Sequence, residues 1–169
     1  MWNYSELFLR DLDALFRIAL LITGSVELAE RALIESMDVL SAIAPSGRIS
    51  NCSVMVLTVA RSSIAVLRRS KRMSDSMEES TLTLLHQDLR PILKLSPDLR
   101  CCFVLRTLLR YSHEQVGLLM NIQSEDAEML AQTAVLQFAK LARGCEPEVP
   151  SYGRQPSFLQ DASTSESAI

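Results

Sequence analysis

Aromatic side chains are scarce in this sequence, at 5% of the residues, so any core must be built from aliphatic side chains and methionine. Histidine is scarcer still: His86 and His113 stand alone and far apart, which argues against a metal site. The five glycines include no G-x-G-x-x-G run, and that removes the loop that cradles a phosphate. Glu30 and Glu35 are five apart and diverge around a helix, so they do not form a paired-acid site. With no nucleophile elbow either, no catalytic constellation is present; the chain is not expected to be an enzyme, and no cofactor is expected.

Long apolar runs are missing too. Stretches such as Ile18 to Ile22 fall far short of the roughly 20 residues that cross a bilayer, so no membrane insertion is expected. Trp2, Asn3, Tyr4 and Glu6 follow Met1 without the basic and apolar regions of a secretory signal, and a cytoplasmic protein is expected. Cys52, Cys101, Cys102 and Cys145 show no C-x-x-C pair and no disulfide framework. They are expected to be reduced and packed as small hydrophobes, a redox sensor at adjacent Cys101 and Cys102 being the alternative.

What is present is 48% hydrophobic residues rich in Leu, Ala and Met, together with abundant Glu, a mixture that favours helix. The net charge of −3 gives no global attraction to a polyanion, so any nucleic-acid contact needs a local basic patch. The periodicity predicts an all-α chain of two small helical domains, the second with a helix-turn-helix.

In the first domain, residues 1–72, a helix from Tyr4 to Ile22 carries Phe8, Leu12, Leu15, Phe16, Ala19 and Leu20 on one face and stops at Thr23-Gly24. Ser25 caps a second helix running to about Ile43. After the break Ala44-Pro45-Ser46-Gly47, Ser50 or Asn51 caps a third, with Val54, Leu57, Ala60, Ile64 and Leu67 on its apolar side. That helix runs into the one dense basic cluster, Arg61, Arg68, Arg69, Lys71 and Arg72, which is read as following a DNA backbone or the polymerase, a solvated helix end being the alternative. Residues 73–80 read as a linker.

In the second domain, residues 81–143, a short helix from Thr81 to Arg90 is closed by Pro91, and Ser96-Pro97 starts the next, with Leu99, Cys102, Phe103, Leu105 and Leu109. Ser112 and Gln115 match a capping box for a helix from His113 to Met120. Asn121 suits a tight left-handed turn, Gly117 allows a close crossing, and Ser124 caps a last helix that reaches about Ala142 and ends at Gly144. Residues 144–169 form a tail expected to be disordered. Met55, Met73, Met77, Met120 and Met129 are expected to fill core gaps.

Two stretches together resemble a known family. Leu15-Phe16-Arg17-Ile18-Ala19, Thr23-Gly24-Ser25, Ala29-Glu30, Glu35 and Val59-Ala60-Arg61 resemble region 2 of extracytoplasmic-function (ECF) sigma factors, of the sigma-70 family. Leu95-Ser96-Pro97-Asp98-Leu99-Arg100, Phe103-Val104-Leu105-Arg106, Tyr111-Ser112-His113-Glu114-Gln115-Val116 and Asn121-Ile122 resemble region 4. The resemblance implies transcription initiation through core RNA polymerase and promoter DNA, with an anti-sigma protein as a further partner. It implies polymerase contacts at Glu30, Arg31, Ile34 and Glu35, and DNA contacts at the basic cluster and at Arg110, Gln123, Ser124 and Gln132.

The chain departs from the family in three places. Arg31-Ala32-Leu33-Ile34-Glu35 stands where relatives carry a D-L-V-Q-E-like segment, and Met55, Ser62 and Val66 stand where Trp, Asn and Asp are common. Asp126-Ala127-Glu128-Met129-Leu130-Ala131-Gln132-Thr133 replaces a basic run, and Glu125, Asp126 and Glu128 at a helix start repel a phosphate. A rival reading therefore stands beside the first: a sigma-derived adaptor that binds polymerase, an anti-sigma protein or another sigma subunit without promoter recognition. A third, a dimeric helix-turn-helix repressor, lacks an obvious dimerisation segment.

Overall fold

The computed structural model describes residues 8–44, 52–70 and 84–144, and among them every regular element is helical and no strand occurs. Helix α1 (Leu12–Thr23) follows a helical stretch at 8–10 and a turn at Asp11. Its expected face meets the core: Phe8, Leu15, Ala19 and Leu20 are buried, Leu12 and Phe16 half-buried. Leu21 and Ile22 are buried as well, so the C-terminal end of α1 is covered on every side. Gly24 ends it in the left-handed conformation at φ 76°, its amide donating to the Leu20 carbonyl at 2.7 Å.

Helix α2 (Val26–Ile43) starts after Ser25, which holds the expected cap position in extended backbone but makes no side-chain cap bond. The expected caps Ser50 and Asn51, and the break through Pro45 to Gly47, lie outside the described residues. Helix α3 (Cys52–Ser70) is buried more widely than a single stripe. Met55, Val59 and Val66 join Ala60, Ile64 and Leu67 in the core, whereas Leu57, expected to be buried, is 42% exposed. Buried hydroxyls on these helices donate back to the carbonyl one turn earlier, Ser36 to Ala32 at 2.6 Å and Ser63 to Val59 at 2.7 Å, so neither is left unsatisfied.

The helix expected from Thr81 to Arg90 is not what forms. Residues 81–83 lie outside the described part, a 3₁₀ turn covers Gln87–Leu89, and α4 (Arg90–Leu93) begins with Pro91 in its first turn. Pro91 opens a helix because its fixed φ suits the first turn, where its missing amide proton has no partner to lose. Helix α5 (Pro97–Phe103) starts after Ser96 as expected, without a side-chain cap bond. It continues as a π turn through Val104–Leu108, after which Arg110 takes a left-handed φ of 61°. That strained residue is held in place by Arg106, which donates to the Tyr111 carbonyl, and by the Tyr111 amide, which donates to the Leu105 carbonyl at 3.0 Å.

Helices α6 (His113–Met120) and α7 (Ser124–Arg143) complete the described chain. Phe103 of α5 packs on Phe138 of α7 with ring centroids 4.7 Å apart. Helices α1 to α3 pack on one another, α5 packs on α7 and α6 on α7, and one hydrophobic cluster runs through both groups by way of α1 against α5. The expected linker at 73–80, Met73, Met77, Cys145 and the tail beyond Gly144 lie outside the described residues.

Candidate nucleic-acid and partner interface

The start of α6 and the turn after it form as the sequence predicts. The Ser112 hydroxyl accepts from the Gln115 amide at 3.2 Å, and the Gln115 side-chain oxygen accepts from the Ser112 amide at 2.8 Å, closing the capping box. Asn121 takes the left-handed conformation at φ 51°. A Cβ on Gly117 would stand 2.9 Å from the Ile122 carbonyl oxygen, so the turn can fold back on α6 only where a side chain is missing. The result is a short helix, a tight turn and a long helix, an arrangement consistent with a helix-turn-helix. Gln123, not Ser124, holds the cap position of α7, and Ser124 is the first helical residue.

The outward face of α7 is acidic at its start and apolar along its middle. Glu125 and Asp126 occupy its first turn, and Glu128 accepts from the Gln132 amide nitrogen at 3.3 Å, which draws the candidate DNA contact Gln132 into its own helix. His113 Nδ1 lies 3.9 Å from the Glu128 carboxylate. Met129, expected in the core, is 60% exposed, and Leu136 is 66% exposed. Lys140 and Arg143 stand at the far end. Arg110 is exposed at the corner before α6, away from the α7 sequence.

The basic cluster is partly consumed inside the protein. Arg68 donates to the Met120 carbonyl, tying the end of α3 to the end of α6. Arg69 pairs with Glu35 and also donates to the Ala65 carbonyl at 3.2 Å. Glu35 is shared with Arg31 at 3.4 Å, so residues expected to meet two different partners form one ion network between α2 and α3. Arg61, Glu30 and Ile34 remain exposed, and Lys71 and Arg72 lie outside the described residues. Met55, Ser62 and Val66 are all buried, so none presents a surface on which an extruded base could stack.

An arginine that the sequence reading did not single out holds the two helix groups together. Arg100 of α5 is 7% exposed, and its guanidinium donates to the carbonyls of Ile22 at 3.1 Å, Thr23 at 2.9 Å and Leu93 at 3.3 Å. Ile22 and Thr23 are the last residues of α1, whose carbonyls have no partner within the helix and carry its negative end. Burial lowers the Arg100 pKa, yet an arginine stays charged, so the cation sits where the helix dipole favours it. The signal in the sequence was a charged residue inside an apolar helix, but periodicity alone does not reveal which carbonyls it meets.

Between α3 and α6, Ser53, Val54 and Leu57 face Gln115, Leu118 and Leu119, with Tyr111, across an apolar groove of about 370 Å³. Leu118 is 84% exposed at its edge. Cys101 and Cys102 are buried, whereas Cys52, expected to be buried, is exposed with its thiol 3.7 Å from an Asp11 carboxylate oxygen. No protein-family model matches the chain, and a search of curated proteins finds no significant relative.

Proposed function

We propose that this chain is an ECF-like sigma factor that directs transcription initiation by binding core RNA polymerase and promoter DNA. The observation that carries the reading is the capped α6, left-handed Asn121 and long α7, packed beside a three-helix group in the order that the resemblance requires. Exposed Glu30 and Ile34 on α2 leave a polar and apolar face for the polymerase, and exposed Arg61 leaves a cation for a phosphate backbone. The protein is not an enzyme in this reading; the polymerase performs the chemistry.

A second reading is favoured by a specific observation: Arg68 and Arg69 are occupied within the protein, and the face of α7 is acidic and apolar. These features suit a sigma-derived adaptor that keeps the fold and meets a protein partner, such as polymerase, an anti-sigma protein or another sigma subunit, without promoter recognition. Capture of purified bacterial core RNA polymerase, followed by run-off transcription from a promoter pool at low salt, separates the two. Capture with specific transcripts supports the sigma factor. Capture without transcripts supports the adaptor, and no capture overturns the sigma factor and any adaptor that acts on polymerase.

A further inference from the structure

One face of α7 is exposed from end to end: Glu125, Met129, Gln132, Leu136, Lys140 and Arg143 follow one another at helical spacing and none is buried. The opposite face holds the helix to the protein through buried Ala127, Ala131 and Ala134. The exposed face is acidic at its start, apolar about its centre and basic at its end. Reversing the helix direction therefore sets each end against its opposite charge.

We propose that this face binds a second copy of the same chain, α7 packing antiparallel on α7 of the partner about a two-fold axis between Gln132 and Thr133. With that axis, Met129 of each copy meets Leu136 of the other, and Glu125 of each meets Lys140 of the other. Gln132 and Thr133, both exposed, meet at the centre, where a polar pair fixes register. Such a contact is isologous: one patch serves both copies, so the assembly closes as a dimer. A parallel pairing would set Glu125 against Glu125 and Lys140 against Lys140, which like-charge repulsion disfavours.

The contact uses one helix face and belongs with small interfaces, below about 1,200 Å² in all, which make reversible dimers. The contact also supplies the dimerisation segment that the sequence pattern did not reveal, because the acidic and basic ends of α7 are separated by about three turns without a charge.

Sedimentation equilibrium of the full chain at rising concentration and low salt tests it. A monomer–dimer equilibrium weakened by salt is expected. Glu125→Lys and Lys140→Glu should each raise the dissociation constant about tenfold, since each change turns two symmetry-related attractions into repulsions. The double variant E125K/K140E should return to within about threefold of the parent, because the pairs re-form with sign reversed. Leu136→Glu, an exposed position, should leave folding by circular dichroism intact and abolish the dimer. A monomer at every concentration, or a double variant no tighter than the single ones, overturns the proposal.

Discussion

The guanidinium of Arg100 lies flat against Gly24, so close that a Cβ there would stand 2.7 Å from one of its nitrogens and 2.8 Å from its central carbon. The two residues answer one problem from opposite sides. Gly24 ends α1 in a backbone conformation that other residues rarely adopt, and the same missing side chain leaves room for the cation that satisfies the carbonyls of Ile22 and Thr23.

Gly24→Ala should therefore cost more than the roughly 1 kcal/mol usual for a strained left-handed position, because the added methyl also displaces the guanidinium. Arg100→Met should cost on the order of 3 kcal/mol, since it leaves buried carbonyls without donors. Urea unfolding of the two single variants and the double one checks the coupling. The combined loss should fall well short of the sum, as both changes remove the same contact; full additivity would mean that the guanidinium does not depend on Gly24.

Much of this architecture was legible in the sequence, and the reason lies in local chemistry. Gly24, the Ser112–Gln115 pair, Gly117 and Asn121 act through their own backbone or that of near neighbours, so spacing alone places them. Pro91 misled because a proline marks either a helix end or a first turn, and only the packing of Ile92 and Leu93 in the core selects the second. Leu57 and Met129 misled because both extend apolar patterns that face outward on helices buried elsewhere. Arg68, Arg69 and Arg100 reach partners far along the chain, and no local pattern reports such a distance.

Ser112→Ala should destabilise the chain by about 1 kcal/mol, the usual loss for an N-cap whose side chain accepts from a backbone amide. Gln115→Ala should cost less, because the Ser112 amide lies near solvent and regains a water when its partner is lost. Amide hydrogen exchange provides the local check: protection should fall first across 113–120, while α1 to α3 keep theirs. Equal loss across the whole chain would place the cap in the global folding unit.

Cys101 and Cys102 should be inert in the native protein. Burial pushes their thiols up to about 12 and about 11 respectively, and the thiolate is the reactive form. Iodoacetamide at neutral pH, followed by peptide mass analysis, should label Cys52 while sparing this pair until denaturant is added. The same shift predicts alkaline destabilisation. Below the ordinary thiol value of 9.0 both folded and unfolded chains keep these protons; above it the unfolded chain releases them first, so stability falls as pH rises from there towards 11. Rapid native labelling of either residue would reopen the redox-sensor reading.

The electrostatics of α7 give a direct test of whether this helix meets a duplex. Asp126 and Glu128 are exposed near its start, where a phosphate would otherwise find free amides and the positive end of the dipole. Replacing both by Lys removes that repulsion and supplies two cations, at a cost to the helix of roughly 0.3–1 kcal/mol for each reversed charge near its terminus. If α7 lies in a groove, affinity for promoter DNA should rise, and the dependence of log K on log salt should steepen by about 0.9 for each new phosphate contact. Filter binding across a salt series reads both quantities. A folded D126K/E128K variant with unchanged affinity and slope would place α7 away from the duplex, and the acidic, apolar face would then count as a surface for protein.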